Sequence, residues 1–339
     1  MMKTEMNIMS EGKRMFSRVC HPFGSYTLLQ YLLISSEEEI ADTFFFFMRG
    51  WISDSVIEKF PNRFASSYVT RSKFMKIFGL VWWKLMTIFK NHRWPFLKNA
   101  EMFMDDHTHF GYLLGRDHIY TLLEDGLALY QIPLPSLDLL HRMFLWPIFH
   151  PFPVGKCGQN ERCQAVVLTK TLPEGSPLRE KKVISLNFSS IWESASPQKR
   201  NFICSVFGVS ESDIQAVENA DVVLTTQCLS EDGLCSEQEK IDGYRRMLSD
   251  YGCRGTIVVK RHPREKTDYN EALIGYDIRQ ISADCPMELF ILLCSRIKRL
   301  MTSYSTAVMS FPRKEKIVWA GTGYFPSVHR LLGDRGMPE

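Results

Sequence analysis

Asp221-Val222-Val223-Leu224-Thr225 and Gly255-Thr256-Ile257-Val258-Val259-Lys260 are two short apolar runs rich in β-branched residues, and they bracket a polar segment with helical periodicity. A continuous apolar run of this length reads as a strand buried on both faces. Two such strands joined through a helix make a βαβ unit, because parallel neighbours need a long crossover. A parallel sheet also says where to look for chemistry, since ligands gather beyond the carboxyl ends of its strands.

The pattern extends along the chain. Residues 26–34 are helix-like, and strands are expected at 43–48, 118–123, 165–168, 183–188, Leu300–Thr302 and 316–320. Helices are expected at Glu211–Asn219, 237–248 and 287–297. This alternation predicts an α/β protein with mostly parallel sheets covered on both faces. With 339 residues the chain exceeds one ordinary core, so two domains are expected, 1–190 and 191–339, joined by the polar stretch 192–201.

Composition narrows the class. A hydrophobic content of 45% with 23% charged residues fits a folded protein rather than a disordered or fibrous one. A net charge of +3 carries no footprint of nucleic-acid binding. The nine cysteines show no zinc-ligand spacing and read as thiols of a reducing compartment. The N-terminus carries Glu5, Glu11, Lys13 and Arg14, unlike a signal peptide, and the run containing Phe44-Phe45-Phe46-Phe47 is too short to span a bilayer. A cytoplasmic protein is expected.

Four polar clusters follow expected strands. Glu124-Asp125-Gly126 sets two carboxylates beside a glycine, an arrangement that suits a general base and also an ordinary turn. Gln227 to Gly233 repeats the acidic pair as Glu231-Asp232 and makes Asp232 a second base candidate. Lys260-Arg261-His262-Pro263-Arg264 concentrates positive charge at a strand end, where it can stabilise a departing phosphate. Pro263 restricts the residue before it and so fixes where His262 points. Ser303-Tyr304-Ser305-Thr306 reads as a strand running into a helix, whose hydroxyls and first amides could bind phosphate or simply cap the helix. Glu288 opens a further helix, either as a first-turn acid or as an acceptor for ribose hydroxyls.

No dinucleotide glycine fingerprint, phosphate-binding P-loop, His-Glu-x-x-His motif or G-x-S-x-G elbow is present. Asp105-Asp106-His107-x-His109 has metal-ligand residue types, but it precedes the expected strand rather than following it. It reads as a wet connecting segment, and no metal site is expected.

Taken in order, Leu224-Thr225-Thr226-Gln227, Glu231-Asp232-Gly233, Lys260-Arg261-His262-Pro263-Arg264, Pro286-Met287-Glu288-Leu289 and Ser303-Tyr304-Ser305-Thr306-Ala307 resemble glycosyltransferase family 52, bacterial sialyltransferases of lipooligosaccharides and capsules. Tyr120 to Gly126 also looks like their acidic motif. The resemblance implies a GT-B architecture of two Rossmann-like domains with an interdomain cleft, residues 1–190 on the acceptor side and 191–339 binding the donor. It implies CMP-sialic acid as donor, no bound cofactor, a galactose-terminated oligosaccharide or glycolipid as acceptor, and inversion at the anomeric carbon. His262 would contact or protonate the leaving phosphate, with Ser303, Ser305 and Thr306 binding it. Glu288 would face the ribose, and Gln227, Lys260 and Arg264 would complete the donor contacts. Asp125 is the preferred base because it would lie across the cleft from His262, and Asp232 stays a competitor. Cys228 departs from the pattern, which often has proline there. A homodimer is compatible with the family.

Two alternatives stand beside this reading: the same fold with another nucleotide sugar, such as a glucosyl donor, and a non-catalytic membrane- or polyanion-binding protein. The segment 74–90 bears on the last point. Wound as a helix it sets Phe74, Ile77, Phe78, Val81, Leu85, Ile88 and Phe89 on a broad apolar face, with Lys73, Lys76, Lys84, Lys90 and Trp83 opposite. Such a helix could pack on protein, meet anionic headgroups, or do both.

Overall fold

A computed structural model describes residues 15–67, 157–337, and 92–130 apart from 107, 109, 110, 112, 113 and 116. The basic helix expected at 74–90 lies outside the described residues, as do His107 and His109.

Two parallel sheets organise the chain. The first has seven strands in the order β3-β2-β1-β4-β5-β6-β7: β1 (Arg18–His21), β2 (Thr43–Arg49), β3 (Arg63–Ser67), β4 (Glu101–Met104), β5 (Tyr120–Leu122), β6 (Cys163–Leu168) and β7 (Lys182–Ser185). The second has five in the order β10-β9-β8-β11-β12: β8 (Val222–Thr225), β9 (Ile257–Lys260), β10 (Ile278–Gln280), β11 (Leu300–Thr302) and β12 (Ile317–Trp319). Every adjacent pair in both sheets is parallel. The strand order reverses between β1 and β4 in one sheet and between β8 and β11 in the other. Such switch points open a crevice beyond the strand ends.

The four phenylalanines of β2 show why this sheet is buried on both faces. Successive strand side chains point to opposite sides. Phe45 and Phe47 pack with the helix Ser25–Ile34, while Phe44 and Phe46 pack with Trp94, Phe96 and Met104. The first of these clusters continues through Trp192 and Ile203 to Val223, Val258 and Phe290, so the two sheets share one apolar core through intervening helices.

Several local expectations need correction. The stretch 192–201 is helical, falling in Phe188–Ser194 and Pro197–Val206. Strand β7 stops at Ser185, and Phe188 already opens a helix. After β11 comes a five-residue 3-10 turn, Thr306–Ser310, instead of an α-helix. Asp105 and Asp106 follow β4, a strand the sequence did not suggest, and they are buried rather than wet. Asp106 accepts the Tyr120 hydroxyl at 2.9 Å and the Cys157 and Gly158 amides at 2.7 Å each. Among the described residues, no helix is long and apolar enough to cross a membrane, and no group of three or more His, Cys, Asp or Glu could hold a metal ion.

Candidate active site

Loops at the carboxyl ends of both sheets enclose a cleft of about 820 Å³. Asp125 and Gly126 line it from the first sheet. Gln227, Lys260, His262, Glu288, Ser305 and Thr306 line it from the second. At the second sheet's switch point the two central strands are tied together. Thr302 donates its hydroxyl to the Thr225 carbonyl (3.2 Å) and accepts the Ser305 amide (2.9 Å), and Thr225 donates to the Met301 carbonyl (3.3 Å). Ser305 stands at the head of the 3-10 turn without capping it.

The two acidic-acidic-glycine motifs have different fates. In the first, Glu124 is buried and fully engaged. Its carboxylate accepts the hydroxyls of Tyr26 (2.7 Å), Tyr130 (2.6 Å) and Thr169 (2.8 Å) and the Thr169 amide (2.6 Å). The Gln30 side chain grips its backbone from both ends, accepting the amide at 3.0 Å and donating to the carbonyl at 2.8 Å. A loop held this tightly presents the next residue, Asp125, to the cleft. Gly126 then adopts φ +58°, and a Cβ there would lie 3.6 Å from the Thr306 hydroxyl. The acidic and serine motifs therefore approach each other across the cleft.

In the second motif both carboxylates brace the His-Pro loop. Glu231 accepts the Lys266 amide (2.8 Å) and pairs with the buried Lys240 (3.1 Å). Asp232 takes both guanidinium nitrogens of Arg264, at 2.5 and 3.0 Å. Burial pushes the Asp232 carboxyl up, but Arg264 and the Cys228 thiol outweigh it and hold the group below the usual carboxylate range. Arg264 also lies over the Trp51 ring, 4.7 Å from its centroid, and so connects this loop to the first sheet. Asp232 and Arg264 are not among the cleft-lining residues, and neither is Ser303, which is fully buried.

His262 faces the cleft as a neutral imidazole. Burial first, then the nearby charges of Arg264 and Lys260, push it down to about 4. Its Nδ1 accepts the Arg264 amide at 3.2 Å, which leaves the proton on Nε2. The group is a preset hydrogen-bond donor. Beneath it, Lys260 is buried and donates to the carbonyls of Arg261 (2.6 Å) and Ala283 (3.1 Å). Sequence reasoning missed Glu265, which is buried and accepts the Thr226 hydroxyl (2.5 Å), the His262 amide (3.0 Å) and the Tyr269 hydroxyl. The available signal was an acid closing a basic cluster, Arg261-His262-Pro263-Arg264-Glu265.

The comparisons decide the family. A model of glycosyltransferase family 52 matches residues 50–320. The chain belongs to glycosyltransferase family 52. An uncharacterized protein of Haemophilus influenzae is 28% identical over 239 residues, covering 70% of this chain and 74% of that one. Among solved structures, a Photobacterium 2,6-sialyltransferase in complex with CMP and lactose superposes with TM-score 0.56 at 13% identity, covering 93% of this chain and 76% of that one. A Methanocaldococcus jannaschii UDP-GlcNAc 2-epimerase with UDP-GlcNAc and UDP gives TM-score 0.52 at 11% identity, covering 93% and 92%. Likenesses at this identity establish the GT-B fold.

In this family 52 chain Cys228 stands where proline was expected, and it has its own work. Its thiol donates to Asp232 at 3.1 Å, and its sulfur accepts from Arg264 at 3.0 Å. Glu288 illustrates what such a site costs in stability. Burial raises its carboxyl to about 7, against the opposing pull of its own amide and Lys260. Between the unfolded value near 4.5 and about 7 the native state holds the proton that the unfolded chain has released, so stability falls as pH rises through this window. The full penalty, about 3 kcal/mol, applies above it. Glu288→Gln is therefore expected to raise the melting temperature at pH 8 and leave it nearly unchanged at pH 4.5, as differential scanning calorimetry would show.

Proposed function

We propose that this family 52 glycosyltransferase is an inverting sialyltransferase, moving sialic acid from CMP-sialic acid to a terminal galactose of a bacterial lipooligosaccharide or capsular glycan. The observation that carries the reading is the facing of Asp125, on one wall of the cleft, by a cationic and hydroxyl set on the other. Residues 1–190 serve the acceptor and 191–339 the donor. Asp125 removes the proton from the acceptor hydroxyl, whose oxygen attacks the anomeric carbon as the bond to phosphate oxygen breaks. The Nε2–H of His262 and the Ser305 hydroxyl donate to the departing phosphate, and buried Lys260 adds positive charge behind them. Glu288 accepts from the ribose. Enclosure between the two walls keeps out water that would hydrolyse the donor.

Purified protein is to be incubated with CMP-sialic acid or UDP-glucose and lactose as acceptor. Sialyllactose from the first donor is expected. Product from UDP-glucose alone would replace the reading with that of a glucosyltransferase, a choice the fold leaves open because a nucleotide-sugar epimerase shares it. A monophosphate leaving group carries less charge than a diphosphate, and the donors named above match it. Activity is accordingly expected to persist in excess chelator. Loss restored by magnesium would overturn this.

The acceptor class suggests work at the inner face of the cytoplasmic membrane through the basic segment 74–90. Salt-sensitive sedimentation with anionic vesicles, weakened when Lys76, Lys84 and Lys90 become Glu, is the expected result.

A further inference from the structure

Two lysines in the cleft take no part in the steps above. Lys170 follows β6, and Lys314 opens the 3-10 turn before β12; both line the cleft, one from each sheet. Their backbones or side chains are tied to catalytic elements. The Lys170 amide donates to the Tyr130 hydroxyl (3.0 Å), which itself donates to Glu124, and the preceding Thr169 grips the same carboxylate. The Lys314 ammonium donates to the carbonyl of Met309, in the turn that begins with Thr306. Lys170 thus stands beside the Asp125 loop and Lys314 beside the serine loop.

Neither lysine pairs with a carboxylate among the described residues, unlike Lys240 or Lys298. Burial lowers the proton affinity of Lys314, and the positive charge of Lys170 lowers it further, so the two ammonium groups feel each other. Two like charges held in a cleft without a counter-ion raise the free energy of the empty site, and a bound anion relieves it. The phosphate already has donors in His262 and Ser305, with the charge of Lys260 behind them. The lysine pair is left for a second anion.

We propose that Lys170 and Lys314 form the subsite for a carboxylate on the transferred sugar and select an acidic-sugar donor over neutral ones. The inference rests on the glycosyl-transfer reading given above. In a 2-keto acid sugar the carboxylate is bonded to the anomeric carbon itself. That carbon must lie between the base and the leaving phosphate, so its carboxylate must lie between the same two walls. Lys170 and Lys314 rise from those walls. During transfer the carboxylate stays attached, no bond to it forms or breaks, and the lysines fix which face of the carbon meets the acceptor.

The test compares Lys170→Gln, Lys314→Gln and Lys170→Arg with the parent enzyme, using lactose as a neutral acceptor. Each Gln variant is expected to raise the donor KM about 10-fold or more, the scale of one lost charge-assisted hydrogen bond. Inhibition by CMP, which has the phosphate but no carboxylate, should change less than about 2-fold, and the Arg variant should retain most donor affinity. Three results would overturn the proposal: an unchanged donor KM, a parallel loss of CMP inhibition, or an effect seen only with a phosphorylated acceptor. The last would assign the lysines to an acceptor anion. Failure of the underlying reading is separately visible, because the parent enzyme would then make no sialyllactose at all.

Discussion

Asp125→Asn is expected to reduce sialyl transfer by roughly 10²–10⁴-fold, the range of a lost general base, while its thermal unfolding stays within error of the parent. The loop's geometry comes from Glu124, whose carboxylate and backbone are bound by Tyr26, Gln30, Tyr130 and Thr169. Changing its neighbour leaves that cage intact, so an activity loss reports chemistry. Asp232→Asn should behave differently. Asp232 holds Arg264, whose amide fixes the His262 tautomer, so its loss loosens the donor loop. A several-fold rise in donor KM with kcat nearly preserved is expected. Steady-state kinetics of both variants check the assignment. An inactive Asp232→Asn beside an active Asp125→Asn would reverse it.

The second large effect falls on His262. His262→Ala is expected to lose at least about 100-fold in kcat, the scale of one removed donor to a developing anion. Because the imidazole is pushed down to about 4 in the free enzyme, its neutral form prevails from pH 5 to 8. It should therefore add no inflection near 6.5 to the pH profile of kcat/KM. His262→Gln, which can place an N–H near the same position, should recover part of the loss. Equal inactivity of both variants, with a lost inflection near 6.5, would mean that His262 works as a proton donor instead. The same displacement bears on stability. With a folded value near 4 and an unfolded value near 6.5, the unfolded chain binds the extra proton between them. The native state loses stability as pH falls from about 6.5 toward 4, opposite in sign to the effect of Glu288.

Much of the second sheet was legible in the sequence because its strands are continuous β-branched or apolar runs: Val222–Thr225, Ile257–Lys260 and Leu300–Thr302. The first sheet was harder. Its central strand β1 reads Arg-Val-Cys-His, and its burial depends on pairing His21 Nδ1 with the Phe46 carbonyl (2.8 Å), a partner 25 residues away. Strand β4 was hidden between a basic segment and an acidic pair. The site divides in the same way. Strand-end motifs placed Asp125, Gln227, Lys260, His262, Glu288, Ser305 and Thr306 around one cleft. The sequence could not separate the two Glu-Asp-Gly motifs, because the difference lies in distant partners: Gln30 and Thr169 for one, Lys240 and Arg264 for the other. Glu265 closes a basic cluster in the sequence, but its role exists only once Thr226, His262 and Tyr269 converge on it.

The grip of Gln30 on the backbone of Glu124 has a consequence for how this enzyme can diversify. It anchors the loop that carries Asp125 to the buried helix Ser25–Ile34, deep in the core. Another part of the cleft wall, including Ser185, Asn187 and Ser189, comes from the end of the edge strand β7 and the start of the following helix. Substitutions there alter the contour offered to a sugar without passing through the hydrogen bonds that aim Asp125. Mutational drift at Ser185 and Ser189 can thus reshape one margin of the cleft while the Glu124 cage stays fixed, which makes these two positions, and not the buried Leu186 and Phe188 between them, the ones to randomise when altering what the cleft accepts.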